Sequence, residues 1–118
     1  MPKTTSHWNR RQMAEKLKSL GNDLRILAAD IKRPQTPCAA ISSWHREVAG
    51  CVEDMSALLA GEMPNSDRAM HKAEELRGVS QVLQQWAERP ADDTGNKARA
   101  AQLDGIAASI GVFADKLL

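Results

Sequence analysis

Three histidines, two cysteines and three tryptophans carry most of the chemistry that this 118-residue chain could perform, and their spacing decides its kind. His7, His45 and His71 stand far apart, and there is no H-x-x-x-H, C-x-x-C or E-x-x-H pair to put two ligands on one helix face a turn apart. Neither a metal nor any other cofactor is therefore expected. His71 has Asp67 and Glu75 one turn away on either side, a spacing suited to a surface hydrogen bond. Cys38 falls in the first turn of an expected helix, where free amides and the helix dipole can lower a thiol pKa, which favours it over Cys51 for reactivity. With no His or second Cys near in sequence, the expected reading is nonetheless an inert thiol. Cys51 reads as a small apolar core residue. Glycine-rich phosphate loops and nucleophile elbows are missing, so no catalytic residue is assigned.

Cations form the next pattern. Arg11, Lys18, Arg25 and Lys32 recur every seven residues, which lines them up about 10.5 Å apart along one side of a helix. Such a row can meet an acidic protein surface or a phosphate backbone, or can simply be solvated. Of the tryptophans, Trp44 falls on an apolar stripe and is expected to pack in the core. Trp8 lies off its stripe, as a lid over the bundle end or an exposed anchor. Trp86 sits at the edge of its stripe beside Val79 and Val82, a grouping that suits an interface.

These residues sit on four expected helices. Met13, Leu17, Leu20, Leu24, Leu27 and Ile31 alternate in steps of four and three, predicting one helix over 6–33 that runs through Gly21. Pro34 stops it, and Thr36 with Pro37 starts a second over 37–60, with Ile41, Trp44, Val48, Cys51, Met55 and Leu58 on one face and Gly61 as its end. Asn65 or Ser66 caps a third over 66–88, whose apolar set is Ala69, Ala73, Leu76, Val79, Val82, Leu83 and Trp86. Residues 89–96 read as a loop, with Pro90, Asp92, Asp93 and Gly95 against regular structure. A fourth helix over 95–117 carries Leu103, Ile106, Ile110, Phe113 and Leu117. Opposite them lies a face of small residues: Ala101, Gly105, Ala108, Ser109 and Val112. With no strand signal, the expectation is one all-α domain over 1–118. It would be an antiparallel helical bundle, and the second apolar face of the last helix would be shared in a homodimer.

The formal net charge of +1 removes any whole-molecule case for a nucleic-acid or membrane binder. Charge is local instead: residues 1–36 carry +5, 37–64 carry −3, 65–90 none and 91–118 carry −1. No apolar run reaches the roughly 20 residues of a bilayer span, so no membrane partner is expected. Two cysteines make no disulfide framework, and the first residues lack the apolar stretch of a secretory signal, so the expected compartment is the cytoplasm.

In size, helical character and its SHWNRRQMAEKL opening, the chain resembles the QslA-type small helical anti-activators of LuxR-type quorum-sensing regulators. The resemblance implies a helical dimer that captures the ligand-binding domain of a transcription regulator and blocks its dimerisation or DNA binding. It transfers no functional residue. Leu24-Arg25 within the long first helix is similar to small all-helical chorismate mutases, an enzyme reading in which Arg25 and Arg46 would have to turn inward. The expected function is that of a non-catalytic protein-binding regulator that occludes its partner. Its partner-binding set is Trp8, Val79, Val82, Trp86, Arg11, Lys18 and Arg25, and its dimer face is that of the fourth helix. Nucleic-acid binding through the first-helix cations and a chorismate-mutase-type enzyme are the alternatives.

Overall fold

A helix forms where its free terminal amides find acceptors and its apolar positions fall on one side, and the first helix meets both conditions. In a computed structural model, which describes residues 9–33 and 38–118, α1 spans Arg10–Ile31. The Asn9 side chain accepts a hydrogen bond from the Gln12 amide at 2.8 Å, and the Gln12 side chain accepts one from the Asn9 amide at 3.0 Å. This reciprocal cap satisfies two otherwise free donors. All six residues of the expected seam, Met13 to Ile31, are buried. The helix runs unbroken through Gly21, where the helix passes close to its neighbour: a Cβ there would lie 3.5 Å from the Ala107 carbonyl oxygen.

The other helices are α2 (Cys38–Glu62), α3 (Asp67–Glu88) and α4 (Asp93–Leu117). The protein is an all-α bundle, with no strand among the described residues. Ser66 caps α3 by accepting from the Ala69 amide at 3.2 Å. Gly61 does not end α2, contrary to expectation: the helix continues to Glu62, and no glycine has the positive φ of a left-handed cap. The expected loop over 89–96 is also shorter than its composition suggests. Asp92 accepts from the Gly95 amide at 2.7 Å and is the N-cap of α4, with Asp93 in the first turn. Residues typical of loops here act as helix-starting residues.

The helices alternate in direction. Gly21 lies against Ala107 and Ile110, and Lys18 pairs with Asp115 at 3.0 Å, so α1 and α4 run antiparallel. In α2 and α3, the Ser56 hydroxyl donates to the Ala73 carbonyl at 2.6 Å and the Ser80 hydroxyl donates to the Ala49 carbonyl at 2.9 Å. These two bonds fix the register of an antiparallel pair. α1 and α2 meet over a shorter stretch, and nowhere do the Cα atoms of α3 and α4 come within 8 Å of each other. The bundle therefore has two close pairs and one wide seam.

A single core unites the four helices, built almost wholly from Leu, Ile, Val, Met and Ala with Phe113. The buried arc of α2 departs from the expected one. His45, Val48, Ala49, Val52, Met55, Ser56 and Leu59 turn inward, whereas Trp44 is 38% exposed and Cys51 is exposed. The arc is displaced by about 60° around the helix at 3.6 residues per turn. α2 has to serve α1 and α3 together, and the small residues Ala49 and Ser56 are what lets α3 approach.

Candidate functional site

The wide α3–α4 seam and the outward side of α4 hold most of the residues singled out by their pattern. On α4, Leu103, Ala107, Ile110 and Ala114 face the core, and the opposite side is Ala101, Gly105, Ala108, Ser109 and Val112, all exposed. Val112, 55% exposed, is the one large apolar side chain among them. Four of these side chains are a methyl group or smaller, or a single hydroxymethyl, so the backbone on this side is open to close approach.

On α3, Val79, Val82 and Trp86 are all half-buried. Val79 lines a cavity of about 240 Å³ in the seam, with Leu76 beside it and Ile106 and Ile110 across from it on α4. Trp86 is held between two neighbours: the His45 ring of α2 meets it edge-on with centroids 6.1 Å apart, and the Arg99 guanidinium of α4 lies 5.0 Å from its ring centre. Trp86 thus joins three helices while leaving part of its surface outside.

His45 is 2% exposed. Its Nδ1–H donates to the Ile41 carbonyl at 2.7 Å, which leaves the lone pair on Nε2, and that buried nitrogen has no hydrogen-bond partner among the described residues. A carbonyl can only accept, so this bond fixes the neutral tautomer. Burial lowers the His45 pKa, and nearby Arg99 lowers it further, against an opposing effect of the Ile41 bond.

Lys72 and its partners escaped the sequence reading. Lys72 is only 9% exposed, and its ammonium donates to Glu75 at 2.8 Å and, across the seam, to Ser109 at 2.9 Å. It also lies 5.7 Å from the centre of the Phe113 ring. A signal for it existed: Lys72 sits three residues after Ala69 and four before Leu76, on the buried stripe of α3, where a lysine needs a specific partner.

The α1 cations Arg11, Lys18, Arg25 and Lys32 are exposed, and the row is interrupted by the Lys18–Asp115 ion pair. Arg25 and Arg46 both lie on exposed positions, so neither turns inward as a chorismate-mutase-type site would need. His71 pairs with Glu75 at 3.6 Å rather than with Asp67. The Cys51 thiol, expected in the core, is exposed. Its pKa is raised, first by partial burial and then by Asp23, Asp54 and Glu47, which keeps it in the unreactive thiol form. Trp8 and the Cys38 side chain lie outside the described residues. Among the described residues no three His, Cys, Asp or Glu side chains gather as a metal ion requires, and no helix is long and apolar enough to cross a membrane. Searches among family models, curated proteins and solved structures return no match, so these surfaces have to be read from their own chemistry.

Proposed function

We propose that this protein is a non-catalytic regulator that works by covering a surface of another protein. The observation that carries this reading is the outward side of α4: apolar and small residues from Ala101 to Val112 lie exposed behind a core that is already complete without them. An apolar face that the chain's own core does not use suits contact with another chain. A second copy is the proposed occupant of the α4 face, giving a two-fold homodimer in which the same residues meet themselves. The α3 flank of Val79, Val82 and Trp86, with the exposed cations Arg11, Lys18 and Arg25, then remains for the partner. The resemblance of the SHWNRRQMAEKL segment supports a LuxR-type transcription regulator as that partner. The proposed effect is loss of the regulator's dimerisation or DNA binding, produced by occlusion without chemistry.

Two measurements test this. Sedimentation of the wild type is expected to show a dimer that Val112→Asp or Ala108→Glu converts to a folded monomer; a wild type monomeric at every concentration overturns the dimer. Mixing the protein with a LuxR-type ligand-binding domain is expected to give a stoichiometric complex that Val82→Asp and the surface pair Arg11→Glu/Arg25→Glu both weaken. No complex, or one indifferent to all three changes, overturns the partner reading.

A further inference from the structure

At the end of the seam where α3 begins and α4 ends lies a cavity of about 380 Å³, with cationic groups on both helices and an apolar wall. Arg68 and Lys116 line it from exposed positions, and neither forms an ion pair among the described residues. Lys72 lines it from a nearly buried position. Two of its three ammonium protons are engaged by Glu75 and Ser109, and the third has no acceptor among the described residues. Val112 and Phe113 supply the apolar wall. Glu75 neutralises Lys72, and Asp115 is tied to Lys18, which leaves Arg68 and Lys116 as the unpaired cations of the cavity among the described residues.

We infer that this cavity binds a small organic anion, an oxyanion head joined to a compact apolar body. The head is held by the Arg68 fork, the Lys116 ammonium and the remaining proton of Lys72; the body rests on Val112 and Phe113. A guanidinium presents two parallel donors to two oxygens of a carboxylate or phosphate, Lys116 adds a point charge from the facing helix, and Lys72, its charge already met by Glu75, adds a hydrogen-bond donor. The volume falls in the range of about 300–1,000 Å³ common to small-molecule sites. A helix, about 10 Å across, cannot settle between α3 and α4 there, because the Lys72–Ser109 bond at 2.9 Å closes the seam beside the cavity. This site goes beyond the partner-binding reading; it shares Val112 and Ser109 with the proposed dimer face, whereas Arg68 and Lys116, the residues its test changes, lie outside that face.

The test is a titration of the full chain, followed by amide nitrogen–proton correlation spectra, with octanoate, octyl phosphate, octanol and inorganic phosphate. Octanoate or octyl phosphate is expected to produce saturable shifts confined to residues 68–72 and 109–116, and the tighter of the two identifies the head as carboxylate or phosphate. Octanol, which lacks the charge, and inorganic phosphate, which lacks the body, are expected to leave those resonances in place. Arg68→Gln/Lys116→Gln changes only exposed side chains and is expected to weaken binding about tenfold or more, since charge-assisted bonds are being removed. No saturable shift with either amphiphile, equal binding of octanol, or unchanged affinity in the double variant overturns the inference.

Discussion

His45 occupies an uncommon position for an ionisable ring: buried, neutral, bonded through Nδ1 to its own helix and flanked by Trp86 and Arg99. Its pKa is lowered in the folded chain, so near and below the ordinary histidine value of 6.5 the unfolded chain binds a proton that the folded chain does not. Stability is therefore full above about pH 6.5 and falls as the pH drops towards the lowered folded value. Denaturant midpoints measured from pH 8 to pH 5 are expected to show this decline, and His45→Leu is expected to flatten it. A wild-type slope retained in the variant would place its origin in other groups. His45 also shows what residue type conceals. Trp44, one position earlier, is the larger and more apolar side chain, yet it is the one left outside.

At the scale of the helix, the legible parts were those that depend on one chain segment alone. The α1 seam and the length of α3 follow from local spacing, and the stop before Pro34 from local geometry. The face of α2 did not follow, because it is set by Ser56 and Ser80 reaching carbonyls of the facing helix, a pairing that no period within α2 contains. Asp92 was legible as a residue favouring turns but not as the cap it forms. Its replacement by Ala is expected to lower stability by about 1 kcal/mol in denaturant titrations. Gly95→Ala is expected to be destabilising as well, since a Cβ there would sit 2.7 Å from the Ala91 Cβ. Gly50 and Gly78 behave oppositely. Both lie inside helices with open space where a Cβ would go, so Ala at either is expected to raise stability by about 0.5–1 kcal/mol.

For the whole molecule, the uneven spacing of the helices sets where it is strong. α1 lies along α4 and α2 along α3, while the α3–α4 seam is spanned by long side chains instead of close backbones. Leu27, fully buried in the α1 seam, is expected to cost about 2–5 kcal/mol on truncation to Ala. Ile106, half-buried on the wide side, is expected to cost clearly less. Equal losses in the two unfolding curves would mean that the seam is as tight as the rest. The wide seam was not legible beforehand, since four amphipathic helices of similar length suggest equal neighbours. Lys72 on the buried stripe of α3 bridges the seam to Ser109 at one end, and Trp86 with Arg99 bridges it further along.

The antiparallel pairing of α1 with α4 has a practical consequence. The start of α1 and the finish of α4 share one end of the bundle with the bend between α2 and α3, and the cavity bounded by Arg68 and Lys116 opens there too. A reporter fused at Leu118 would crowd that cavity, whereas the turn around Pro90, at the far pole, offers an attachment point away from it.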